Sequence, residues 1–186
     1  MNSRDRIKRS LIMALFSSLM IAGAFIRIPV GPVPVTLTSF FMLTAGLLLG
    51  PVGGSLSVLI YLIIGLMGFP AFAGGSGPAV FAGPTGGFLI AYLVAVFICG
   101  IISAGSTQTA YRRLPVRDIA AVITGSIVLY AIGVPWLKWR LGMQWPAAFS
   151  AGMLPFLPGD AVKAVAAVII RQVLNRTAPE LLPERE

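Results

Sequence analysis

Histidine is absent from this chain, and cysteine occurs once, at Cys99 inside an apolar run. Without histidine there is no His-based triad, no histidine zinc site and no imidazole proton relay. One cysteine cannot build a disulfide framework or a thiolate metal site. Charge is scarce too: 11% of the 186 residues are charged, and only 6 are acidic. A soluble domain carries about 25% charged residues. Here 57% of the chain is hydrophobic, which is the composition of an all-α integral membrane protein.

The net charge of +8 invites a nucleic-acid reading, but the basic residues do not share one soluble face. They cluster at Arg4 to Arg9, at Arg112, Arg113 and Arg117, and at Arg171, Arg176 and Arg185. That is the positive-inside pattern of membrane proteins. The basic start leads into a long apolar run with no small-x-small cleavage site, so no cleavable signal is expected.

A membrane helix needs about 20 apolar residues, and the chain divides into a six-helix bundle. The expected spans are 10–26, 37–49, 56–68, 88–102, 119–136 and 160–174. They form one membrane domain over residues 1–186, with both termini on the cytoplasmic side. The proline-rich stretch from Arg27 to Pro34 cannot be regular helix. Gly50-Pro51-Val52-Gly53-Gly54 reads as a tight turn between short spans. The connection from Lys138 to Pro155 has room for a short interfacial helix near Trp145, and Trp136, Trp139 and Trp145 fit an aromatic belt. Span one carries Ala14, Ser18 and Ala22 at a spacing of four. This stripe suits close helix packing, inside the chain or against a partner.

The stretch from Phe69 to Gly87 has no charge and is rich in glycine and phenylalanine. Irregular backbone at membrane depth is tolerated where it lines a cavity, and interrupted helices build small-molecule sites in transporters. Glycine lets backbone amides approach a ligand, and Phe72 and Phe81 can cover an apolar ring.

Asp160 is the only acidic residue between Asp118 and Glu180, and Lys163 follows three positions later. Each charge at mid-bilayer costs about 2.5–3.5 kcal/mol on translocon scales. Residues three apart share one helix face, Pro158-Gly159 marks the helix start, and the helix dipole favours Asp160 there. The pair reads either as a self-neutralising structural pair or as a polar clamp for a small ligand.

Several segments, taken in order, carry a resemblance. They are Gly31-Pro32-Val33-Pro34-Val35-Thr36-Leu37, Ala45-Gly46-Leu47-Leu48-Leu49-Gly50-Pro51, Phe72-Ala73-Gly74-Gly75, Gly83-Pro84-Thr85-Gly86-Gly87, and Leu154-Pro155-Phe156-Leu157-Pro158-Gly159-Asp160 with Lys163. Together they resemble BioY, the biotin-binding S component of energy-coupling-factor transporters. The resemblance implies a six-helix bundle in a prokaryotic inner or plasma membrane that captures biotin from outside. It implies a transmembrane coupling protein and ATP-binding-cassette ATPases as partners, with Ala14, Ser18 and Ala22 facing the coupling protein. The chain has no G-x-x-x-x-G-K-[ST] phosphate loop, so ATP hydrolysis is expected in the partners. The family often has Gln where this chain has Thr38, and an aromatic hydroxyl where it has Phe88. Both departures remove a possible polar contact.

Biotin carries a ureido head with N–H donors and a carbonyl, a thioether ring and an anionic tail. The resemblance places Asp160 and Lys163 beside it. The carboxylate suits the N–H groups and the ammonium suits the carbonyl, through charge-assisted bonds. Thr36, Thr85, Gly86 and Gly87 add neutral contacts, and Phe72 and Phe81 cover the ring. Arg27 either meets the tail carboxylate or anchors the chain at the interface. No cofactor is expected. The competing readings are an intramembrane lipid-modifying enzyme using Asp160 and Lys163, and a channel-like or structural subunit without a small ligand.

Overall fold

A computed structural model describes residues 3–104 and 116–177. Arg112, Arg113 and Arg185 of the expected basic clusters lie outside the described residues. The elements are α1 (Ser3–Phe25), β1 (Arg27–Ile28), β2 (Val35–Thr36), α2 (Thr38–Leu66), α3 (Pro78–Phe81), α4 (Gly86–Ala104), α5 (Val116–Leu141), α6 (Trp145–Gly152) and α7 (Leu157–Thr177). Among the described residues, four helices, α1, α2, α4 and α5, are long and apolar enough to cross a membrane. Helices α6 and α7, bent by 46°, add a fifth if taken as one span.

Large aliphatic side chains cover both the inside and the outside. Met20, Met42, Leu47, Val58, Val96 and Leu137 are fully buried, while Leu11, Ile101, Ile127, Val165 and Ile169 are exposed. In water so much exposed apolar surface would drive association. Against lipid it is the ordinary solvent face of a spanning helix. Helix α4 packs between α2 and α5, and α1 lies on α2.

Helix α2 is a hairpin. Gly50 has φ +73° and ψ −171°, inside a run of otherwise helical residues. Glycine adopts that conformation without a Cβ penalty, and Pro51 then suits the first turn of the returning arm. A Cβ on Gly54 would lie 3.1 Å from the Gly46 Cα, whereas eight residues of straight helix span about 12 Å. The arms 38–49 and 51–66 therefore run back to back. They correspond to the expected spans 37–49 and 56–68, with the reversal at the expected glycine turn. The tip rests on α4, where a Cβ on Gly100 would come within 2.4 Å of the Pro51 nitrogen. It lies at the end of the bundle where α1 begins, near the Arg9 guanidinium.

The opposite end carries the irregular segments. The proline-rich stretch forms a small antiparallel ribbon, Arg27 opposite Thr36 and Ile28 opposite Val35. Residues 67–85 fold over the bundle as a cap, with a bridge between Phe72 and Gly75 and the short α3. The cap is pinned by Trp136, whose indole N–H donates to the Gly83 carbonyl at 3.0 Å, and by Arg140, which donates to the Ala82 carbonyl. Trp136 is therefore a half-buried fastening of the cap, whereas Trp139 is exposed as a belt residue would be. The short helix expected near Trp145 is α6.

One expectation is overturned. The sequence places Arg171 in the third basic cluster of the positive-inside pattern, yet it is 1% exposed. It is paired with Asp118 of α5 and donates to the Ser103 carbonyl of α4 at 3.3 Å. Its position on α7 turns it inward, where only a carboxylate and carbonyls can satisfy it.

Candidate functional site

Beneath the cap, α2, α4, α5 and α7 line a cavity of about 60 Å³. Helix α7 supplies its charges. Asp160 lies in the first turn, where the dipole favours an anion, and Lys163 stands one turn further on the same face. The Lys163 ammonium lies 2.9 Å from Asp160 Oδ1 and donates to Ser39 Oγ of the first α2 arm at 3.2 Å. The Tyr130 hydroxyl of α5 donates to Asp160 Oδ2.

These contacts leave capacity. A carboxylate offers about four acceptor sites and an ammonium three donors. Among the described residues, each Asp160 oxygen takes one bond and Lys163 gives two. Acceptor sites on the carboxylate and one ammonium hydrogen remain, beside a cavity. That arrangement suits a group in which an N–H sits next to a carbonyl.

The rest of the wall is apolar or hydroxylic. Phe72 of the cap, Phe88 of α4 and Phe156 before α7 supply aromatic faces, and Thr36, Thr38 and Thr85 supply hydroxyls. Tyr61 and Tyr92 complete the polar side, near Thr38 and Thr36 on the same wall. Phe72 is wedged over Tyr61 at 5.4 Å between ring centroids. It fits because Gly65 lacks a side chain: a Cβ there would lie 2.1 Å from the ring.

Of the residues expected at a binding site, Asp160, Lys163, Thr36, Thr85 and Phe72 line the cavity. The others stand behind it. Phe81 packs on the far side of Phe72, centroids 5.6 Å apart. Gly86 gives room to the Phe81 carbonyl, and Gly87 gives room to Trp136, whose Cβ would lie 2.2 Å from an added methyl. Arg27 donates to the Ala73 carbonyl, joining the ribbon to the cap. Thr38 and Phe88, the two departures from the family pattern, both line the cavity.

Sequence reasoning missed Ser39, Tyr61, Tyr92, Tyr130 and Phe156. The tyrosines had a signal. The chain has four, and the three among the described residues all line the cavity. A phenol inside an apolar span needs a polar partner, and these converge on one place.

Ala14, Ser18 and Ala22 form an exposed stripe on α1, and Ser18 bonds only back to the Ala14 carbonyl at 2.9 Å. The reading in which this stripe packs inside the chain is not what is observed.

The BioY family model matches residues 1–180. The chain is 44% identical to a probable biotin transporter BioY of Pyrococcus horikoshii, over 91% of this chain and 98% of that one. It is 35% identical to the biotin transporter BioY of Rhizobium etli, over the full length of both. It superposes with TM-score 0.88 and 30% identity on the crystal structure of an S-component for biotin from an ECF-type ABC transporter, covering 99% and 100% of the two chains.

Proposed function

The chain belongs to the BioY family, and from that premise we propose that it is the biotin-capturing S component of an energy-coupling-factor uptake transporter. The observation that carries this reading is the largely buried Asp160–Lys163 pair, which keeps hydrogen-bonding capacity beside a cavity. A ureido N–H is accepted by the Asp160 carboxylate, and the ureido carbonyl accepts from Lys163. The fused rings lie among Phe72, Phe88, Phe156 and Tyr92. The tail points toward the ribbon and cap, where Arg27 sits. A cavity of about 60 Å³ has room for only a few water molecules, at about 10–15 Å³ each. Entry of a bicyclic ligand therefore requires the cap to move outward, and the bonds from Trp136 and Arg140 are what it would swing on.

In this reading the hairpin arms of α2 each cross the bilayer, so the bundle has six spans in a prokaryotic plasma or inner membrane. Both termini are cytoplasmic and the cavity opens outside. Delivery is driven by a coupling protein and its ATPases, which dock on the Ala14, Ser18 and Ala22 stripe.

The test is calorimetry of biotin with the purified, detergent-solubilised chain, wild type beside Asp160→Asn and Lys163→Ala. Tight one-to-one binding, lost in both folded variants, supports the clamp. A well-folded wild type that ignores biotin sinks the reading.

A further inference from the structure

The cavity has a neighbour. On the outer side of α5, α6 and α7 lies an open apolar groove of about 520 Å³, walled by Ile123, Ile127, Phe149 and Leu157. Ile123 and Ile127 are exposed on the face a membrane would cover. Only two residues line both spaces, Tyr130 and Asp160, and they are bonded to each other. The phenol–carboxylate contact is thus shared by the walls of the polar cavity and the lateral groove.

That contact has two physical consequences. The first concerns the carboxylate. Lys163 holds Oδ1, and Tyr130, which lines both spaces, holds Oδ2. A carboxylate oxygen left bare toward hydrocarbon is strongly disfavoured. The Tyr130 hydroxyl covers it and fixes the plane of the carboxylate, so the remaining acceptor sites point into the cavity. The second concerns shape. The phenol ring closes the side of the cavity at the charged pair, where the ureido head is held. A ligand with a substituent on a ureido nitrogen would have to push into this ring.

We propose that Tyr130 is a positioning and specificity-determining residue: its hydroxyl aims Asp160, and its ring excludes ligands enlarged at the ureido nitrogens. The inference rests on the biotin reading above and extends it to a residue on another helix. Its two parts separate by substitution. Tyr130→Phe removes the hydroxyl and keeps the partition. Tyr130→Ala removes both and joins the cavity to the groove.

The experiment is titration of biotin and of two biotin derivatives, each alkylated at one ureido nitrogen, against detergent-solubilised wild type and both variants. Melting temperatures are recorded on the same samples. Tyr130→Phe should weaken biotin about tenfold, as expected for a lost bond to a charged group, with both alkylated ligands still excluded. Tyr130→Ala should weaken biotin at least as much, yet lower the preference for biotin over one alkylated derivative by tenfold or more. A purely structural role would weaken all ligands in parallel and lower the melting temperature, and that result would overturn the proposal. So would unchanged biotin affinity in Tyr130→Phe. If Tyr130→Ala does not purify folded, Tyr130→Leu also shortens the partition and carries the same expectation. Wild type that binds no biotin instead defeats the parent reading, so the two failures are distinguishable.

Discussion

Among the described residues the bundle holds two largely buried ion pairs, one toward each end, and they are built for opposite tasks. Asp160 and Lys163 sit on one helix, three residues apart. Their mutual contact ties nothing together that the helix does not already hold. They line a cavity and keep capacity for further bonds. Asp118 and Arg171 belong to different helices, and Arg171 also reaches the Ser103 carbonyl of α4. That pair joins three helices at the end away from the cap, and no cavity described above includes it. The cation types follow the tasks. A guanidinium with fixed, forked donors suits a permanent joint, whereas an ammonium on a flexible stem can turn from one acceptor to another. Charge burial alone does not mark a binding site. The mark is unused hydrogen-bonding capacity beside open space.

The comparison breaks most visibly at the joint. Arg171→Met removes the guanidinium that faces the buried Asp118 carboxylate and should cost about 3–5 kcal/mol of stability, read as a large fall in melting temperature in detergent. Molecules that stay folded should bind biotin as wild type does. Replacing both partners, Asp118→Leu with Arg171→Met, should recover most of the loss, because an apolar pair is often as stable as a buried ionic one. A double variant no better than the single would mean that the joint has no apolar substitute. At the other pair the signs invert. Asp160→Asn should cost about 2–5 kcal/mol of binding with little change in melting temperature. Equal effects of Asp160→Asn and Arg171→Met on both readouts would erase the distinction drawn here.

A smaller effect is expected where the cap meets the bundle. Gly87→Ala would place a methyl 2.2 Å from the Trp136 Cβ, forcing α4 and α5 apart beneath the cap. Overpacking of this kind costs about 1–3 kcal/mol. It should lower the melting temperature and loosen the cap, so that biotin leaves faster. An unchanged dissociation rate would detach Trp136 from the control of the cap.

The sequence made one of the two pairs legible and hid the other. Asp160 and Lys163 stand out because the chain around them is apolar and they are adjacent in one helix turn. Asp118 and Arg171 are 53 residues apart, and each lies near a helix end, where a charge looks the same whether it faces out or in. A periodic signal was nevertheless present. Lys163, Ala167 and Arg171 recur every four residues, and all three are buried, so a clamp at Lys163 implies an inward Arg171. The turn at Gly50, the non-helical proline stretch and the helix at Trp145 were readable because glycine and proline act locally. The bond from Tyr130 to Asp160 was not, since it depends on how α5 rotates against α7. Gly86 and Gly87 were read as places for a ligand to approach, whereas the space they leave is filled by the Phe81 backbone and Trp136.

The smallest expected effect on binding lies on α1, which separates capture from transport. Large aliphatic residues such as Leu11 and Leu15 are exposed on this helix, and lipid accommodates them. Ala14, Ser18 and Ala22 are exposed beside them yet small. Between helices in lipid, small residues matter because they let two backbones approach. Ser18→Leu fills that surface with a side chain that lipid tolerates and a closely packed helix does not. Biotin affinity of the isolated chain should stay within about twofold, since Ser18 is exposed and does not line the cavity, and a surface change of this kind shifts stability by only about 0.5 kcal/mol. Biotin uptake by cells that also carry the coupling protein and ATPases should fall sharply, and the variant should no longer co-purify with them. If uptake persists at the wild-type level, the partner meets another face. If affinity falls with uptake, α1 belongs to the binding end after all, and the division between a capturing end and a docking face would have to be redrawn.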